Sequence, residues 1–182
     1  MTLRPLAAAV ALTSALALSA CSSDDPDPVV ADPTPSAPSS SADPTPSEDS
    51  AEPWETQNRA GAEALVDAWL EAFNAMQSSG QTEAFESLSS SGCATCANLV
   101  ETTEAIYGGG GSIKSRGWIN PTFGDVTSTA KERTLAVRLR QTPQVVVADG
   151  ERTNYPGGMA TFIATVRWTG DTWSMADWNF PA

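Results

Sequence analysis

The feature that most limits what this chain can fold into is a change of hydrophobic period at residues 108–112. Before it, apolar residues recur at helical spacing. After it they alternate as in strands. Between residues 60 and 76, Ala62, Leu65, Val66, Trp69, Phe73 and Met76 fall on one helix face, and Gly80 ends the segment. A short helix is expected after Thr82, which stands at the cap position, with Phe85 and Leu88 turned inward. A third begins at Cys93, with Cys96, Leu99, Val100, Thr103, Ile106 and Tyr107 sharing a face, and Gly108 to Gly111 stop it. From there the expected strands are 112–120, broken by Pro121, then 122–129, 134–141, a short piece at 145–147, 160–169 and, after a turn at Gly170-Asp171, 172–179. Helices first and strands afterwards predict an α+β domain. Its N-terminal helices pack on one face of an antiparallel sheet of about four to five strands.

That domain occupies residues 54–182, and the chain ahead of it reads differently. Leu18-Ser19-Ala20-Cys21 follows Arg4 and an apolar run from Leu6 to Leu18, about the length of a secretory core and too short to cross a bilayer. The four residues match the bacterial lipobox. Residues 1–20 are then a lipoprotein signal peptide, and Cys21 is the lipidation site and mature N-terminus, carrying diacylglycerol and acyl chains such as palmitate. The expected location is the extracytoplasmic face of the cell membrane, with the membrane itself a partner through that lipid.

Residues 22–53 are almost all Ser, Asp, Pro, Ala, Thr and Glu, and repeat Ala-Asp-Pro-Thr-Pro-Ser at 31–36 and 42–47. So little apolar surface cannot offset chain entropy, which predicts a disordered, proline-stiffened tether. The whole chain has 22 acids and 10 bases, a net charge of −12. Eight of the acids and none of the bases lie in 22–53. Residues 54–182 are thus left with 14 acids against nine bases once Arg4 is set aside, a net charge of −5. Such a balance repels a polyanion, so no nucleic-acid partner is expected. The sequence contains no histidine. Ser-His-Asp and Cys-His catalysis and histidine metal sites are thereby excluded, and neither a metal nor a cofactor is expected.

With Cys21 lipidated, Cys93 and Cys96 remain as an even pair in an oxidising compartment. A structural disulfide at the first turn of the third helix is expected. The alternative, thiol-disulfide redox chemistry, wants a strand running into the motif, and here Ser89 to Gly92 precede it. Glu63, Asp67 and Glu71 stand at i, i+4 spacing and read as a solvated helix face. A pocket, if there is one, has to be built from aromatics: Trp69, Tyr107, Trp118 and Trp168, with Asp177 as an inward carboxylate of the same parity as Trp173 and Met175. Trp173 and Trp178 have opposite parity, so only one faces the helices unless a bulge intervenes. For an enzyme the candidate groups are Asp125, Asp177 and Tyr107.

The amphipathic stretch 62–73, Cys93-Ala-Thr-Cys96, Tyr107-Gly-Gly-Gly-Gly111, Trp118 and Val137 to Arg140 together resemble an uncharacterised actinobacterial lipoprotein domain family over residues 54–182. The resemblance implies an architecture and a location, and no activity. The order of elements is also similar to the nuclear transport factor two-like cone, in which a curved sheet wraps a long N-terminal helix. Members of that fold include enzymes, binders and spacers, so the fold does not choose among them. The expected function is a non-catalytic binding or interaction domain, held on the envelope, whose partner is another envelope protein or a small ligand. The alternatives are a pocket enzyme of the cone fold and a redox lipoprotein using Cys93 and Cys96.

Overall fold

A computed structural model describes residues 51–181. Cys21, the lipobox and most of the tether lie outside the described residues. Helix α1 (Arg59–Ser79) is the axis of the domain. It spans about 32 Å at 1.5 Å per residue. Asn58 caps its start by accepting a hydrogen bond from the Gly61 N–H at 2.8 Å. Gly80, at φ +79°, closes its end with an N–H donated to the Met76 carbonyl. The expected apolar stripe, with Leu70 added to it, is fully buried. Helices α2 (Glu83–Ser87) and α3 (Ala94–Gly108) follow. Thr82 does not cap α2 through its side chain. Its hydroxyl instead donates to Glu86 Oε2 at 2.9 Å.

Among the described residues seven strands in two antiparallel sheets follow, against the four to five of one sheet expected from the sequence. They are β1 (Ser112–Lys114), β2 (Trp118–Ser128), β3 (Glu132–Gln141), β4 (Gln144–Ala148), β5 (Glu151–Tyr155), β6 (Gly158–Trp168) and β7 (Trp173–Asn179). The larger sheet has the order β2-β3-β6-β7 and the smaller β1-β4-β5. Residues 112–120 are thus not one strand. Gly117, at φ +84°, turns the chain from the small sheet into the large one, and a Cβ there would run into the Asn74 side chain. Pro121 does not end a strand either. β2 passes through it with a register shift between Ile119 and Thr122, and Asn120 takes φ +55°. An irregularity on an edge strand tolerates both a proline and a left-handed asparagine.

The second sheet leaves little trace in the sequence because β5 is exposed along its whole length and carries no apolar alternation. Its turn, Asp149-Gly150 with φ +52° and +77°, is the mirror-type hairpin turn that Asp-Gly favours. Leu135, Val137 and Leu139 of β3 and Phe162, Ala164 and Val166 of β6 form the inner face of the large sheet, and all are buried. α1 packs into that concave face, against β2, β6 and β7. The exposed edge of β7 is covered by the loop after α2, through bonds from Ser90 N to Met175 O and from Met175 N to Leu88 O.

Candidate functional site

The interior between α1 and the large sheet is filled by packed aromatic rings. Trp69 is fully buried, with its centroid 5.8 Å from Phe73, 4.8 Å from Phe85 and 5.0 Å from Trp178. Its indole N–H donates to Ser89 Oγ at 2.9 Å, so nothing in that side chain is left for a ligand. Trp118 continues the stack, 4.5 Å from Phe73 and 4.9 Å from Phe162. Asn74 fixes it from α1 by accepting from the Trp118 N–H at 2.8 Å and donating to the Trp118 carbonyl at 2.9 Å.

Helix α3 lies shallowly against this stack. Only Cys96 and Thr103 of its expected apolar face are buried, while Leu99, Val100, Ile106 and Tyr107 are half-buried. Clefts open on two sides of it. One, of about 270 Å³, runs between the first turns of α3 and the aromatic end of the large sheet. Its apolar wall is Leu99, Trp118, Phe162, Trp178 and Phe180. The amides of Gln141 and Asn179 and the hydroxyl of Thr95 edge it, and no titratable side chain lines it. Phe180 packs against Phe162 in a tilted pair at 4.7 Å yet is 70% exposed. Trp178 is 3% exposed, and its indole N–H is buried with no hydrogen-bond partner among the described residues. An unpaired buried donor costs on the order of 1–3 kcal/mol.

Trp178 reaches this position through a bulge. In the β6–β7 ladder Thr165 pairs with Asp177 while the neighbouring Val166 pairs with Met175, leaving Ala176 as the extra residue. The bulge resets the parity, so Trp173 and Trp178 are both buried on the inner face. It also overturns the placement of Asp177. That residue pairs with Thr165, on the outer face, and its carboxylate accepts from the Trp178 N–H and the Asn179 side chain.

The other expected pocket residues do not converge. Trp168 stands at the far end of the sheet, 5.5 Å from Trp173 in an edge contact. It stands six positions along β6 from Phe162, about 20 Å at the strand rise. Tyr107 is a tie between α3 and α1. Its hydroxyl donates to the Gln77 carbonyl at 2.7 Å and accepts from Ile113 N–H, and its ring lies where a Cβ on Gly80 would go. Asp125 is ion-paired with Arg59 at 2.7 Å, and Arg59 also holds Glu63 at 2.6 Å. These two carboxylates raise the Arg59 guanidinium above its usual range, Glu63 contributing more.

Cys93 and Cys96 are joined in a disulfide, with both residues almost fully buried. It lines the second cleft, of about 320 Å³, beside Phe85 and Val100, with Glu86, Glu101 and Glu104 at the rim. Of the acidic row on α1, partial desolvation and then the like charges of Glu71 and Glu63 hold the Asp67 carboxyl above its ordinary range. Among the described residues no group of three or more His, Cys, Asp or Glu side chains converges to hold a metal ion, and no helix is long and apolar enough to cross a membrane.

The chain belongs to the DUF6318 family, a family of unknown function whose model matches residues 34–177. No curated protein matches it in sequence. Helices followed by two antiparallel sheets make its fold α+β, and the solved structures similar to it include proteins described as NTF2-like or of cystatin-like fold. The intermembrane space region of chloroplast protein ARC6 superposes with a TM-score of 0.58 at 10% identity, covering 70% of this chain and 98% of that one. An NTF2-like protein with a cystatin-like fold from Novosphingobium aromaticivorans gives 0.42 at 15% identity, over 64% and 79% of the two chains. A protein of unknown function with a cystatin-like fold from Nostoc punctiforme gives 0.41 at 14%, over 68% and 92%.

Proposed function

We propose that this member of the DUF6318 family is a lipid-anchored cell-envelope protein, held on the extracytoplasmic face of the membrane by Cys21. In this reading its cone domain binds a neutral, largely apolar group and performs no chemistry on it. The observation that carries the reading is the cleft beside α3. Four aromatic rings and Leu99 wall it, and the amides of Gln141 and Asn179 and the hydroxyl of Thr95 edge it. Binding sites of this kind combine apolar walls with a few placed polar groups. Catalysis needs a titratable or nucleophilic group within hydrogen-bond reach of the bound molecule. Asp125, Asp177 and Tyr107 are each engaged elsewhere, and none of them lines this cleft. The lipobox and the proline-rich stretch at 22–53 support display at a distance from the membrane.

Two measurements test this. With the tryptophan indoles labelled with nitrogen-15, a library of small neutral aromatic and heterocyclic fragments should contain binders that shift the Trp118 and Trp178 indole signals. Fragments that bind only at other sites, or none that bind, would remove the binding reading. The anchoring half predicts that Cys21→Ala moves the protein from the membrane fraction to the soluble fraction. Retention of that variant on membranes would refute it.

A further inference from the structure

The outer face of the large sheet brings together a set of hydrogen-bond donors that the aromatic groove does not use. Arg138 and Arg140 are two positions apart on β3, so both side chains stand on that face, with their Cα atoms about 6.7 Å apart. Both are exposed. The ion pairs among the described residues are Arg59 with Glu63 and Asp125, and Arg167 with Glu132, so neither Arg138 nor Arg140 has a carboxylate partner there. Thr122 and Thr161 flank Arg138 from β2 and β6, and Met159 stands beside Arg140. The Thr122 hydroxyl donates to the Arg138 carbonyl at 3.2 Å, whereas Thr161 is exposed and its hydroxyl bonds to none of the described residues.

No acid on this face is close enough to neutralise the pair. The row next to Arg138 is Gly124, Ala136, Ile163 and Asn179, which carries no charge. The carboxylate beyond it is Asp177, level with Thr134 and Thr165, and so at least about 13 Å from Arg138 along β3. Screening at physiological salt acts over about 8 Å. The domain as a whole is acidic, yet this end of the sheet is locally positive.

Two guanidinium forks and a hydroxyl suit an oxyanion with several oxygens. A carboxylate has two, which one fork takes up. A phosphate monoester has three terminal oxygens and about −1.5 to −2 charge at neutral pH, enough to receive both forks. Beside Arg140 a cleft of about 290 Å³ opens between Pro143, Gly157, Gly158 and Met159. A side chain on Gly158 would meet nothing within 4 Å, so a ligand can lie against the backbone there. Met159 is 58% exposed and gives that cleft an apolar wall.

We propose that Arg138, Arg140 and Thr161 form a binding site for a phosphate monoester, whose organic body lies in the cleft between Pro143 and Met159. Arg140 faces outward where the next residue, Gln141, edges the groove on the other side of the sheet. The site therefore stands whether or not the groove binds anything.

The test uses the chain from Ser22 onward, titrated at constant ionic strength with phenyl phosphate, inorganic phosphate and acetate. The backbone amide signals of β3 and β6 report binding. Phenyl phosphate should bind with a dissociation constant on the order of a millimolar, the scale of a few charge-assisted hydrogen bonds at an open surface. Inorganic phosphate should bind several-fold more weakly, and acetate at least about tenfold more weakly. Arg138→Gln and Arg140→Gln should each weaken phenyl phosphate at least about fivefold. Arg167→Gln, on the same face but paired with Glu132, should leave it unchanged. Met159→Ala should bring phenyl phosphate to the level of inorganic phosphate without altering the latter. These positions are exposed, so the urea midpoints should match the parent chain. The proposal is overturned if neither phosphate moves these amides, or if Arg167→Gln costs as much as Arg140→Gln, which would reduce the effect to overall charge. Acetate binding as tightly as phenyl phosphate would overturn the choice of phosphate. Equal binding of the two phosphates would overturn the role of the cleft.

Discussion

Asn74 offers a direct test of how the site is held. Its side chain makes two hydrogen bonds to one residue, accepting from Trp118 N–H and donating to Trp118 C=O, and this clamps the first residue of β2 to α1. Asn74→Ala removes both and leaves a half-buried amide and carbonyl unpaired. At about 1 kcal/mol net per hydrogen bond, with a further penalty for the part of each group that water does not reach, the loss should be about 2–3 kcal/mol. For a domain of this size that lowers Tm by roughly 8–12 °C. Urea unfolding followed by tryptophan fluorescence, with calorimetry for Tm, measures it. Asn74→Asp separates geometry from bulk, since it keeps an acceptor for the Trp118 N–H while opposing the Trp118 carbonyl. It should be no better than Asn74→Ala at neutral pH. Because Trp118 is one wall of the groove, fragment binding should weaken in both variants under conditions where they remain folded. A stability loss below about 0.5 kcal/mol in Asn74→Ala, within the range of ordinary surface changes, would refute the clamp.

The remaining expectations concern the bulge, the disulfide and the acidic row. Deleting Ala176 removes the extra residue of β7 and turns Trp178 to the outer face. The cost should resemble loss of a buried tryptophan, about 3–5 kcal/mol, and a near-neutral deletion would show that the bulge does not set the parity. Changing Cys93 and Cys96 together to Ser should cost about 2 kcal/mol in the chain-entropy model, read from paired urea curves. Little or no loss would mean that the crosslink adds no measurable stability here. Asp67 binds its proton more readily in the folded chain than in the unfolded one, so its contribution to stability rises as pH falls through the folded pKa and is least favourable at neutral pH. Asp67→Asn should therefore stabilise the domain by about 0.5 kcal/mol at pH 7 and reduce the gain seen on acidification. Equal stability of the two proteins at every pH would contradict that sign.

What the residues alone determined was the class of structure and its central helix. An apolar stripe at helical spacing from Ala62 to Met76 has one economical solution, burial against a sheet. The alternation at Leu135, Val137 and Leu139 supplies that sheet. The proximity of Cys93 and Cys96 in the chain made their disulfide legible for the same reason: local spacing dictates local geometry. β5 escaped because an exposed strand bears no apolar signature, although Asp149-Gly150 carried a hairpin signal that the pattern of neighbouring residues did not reinforce. The site was the part that only the tertiary structure decided. Parity along β7 placed Asp177 inside and set Trp178 against Trp173. One extra residue, Ala176, reversed that, and a bulge is a property of the pairing between two strands that neither strand carries by itself. Likewise Phe180 and Leu99 are 81 residues apart in sequence and become two walls of one groove only because β7 ends beside the first turns of α3.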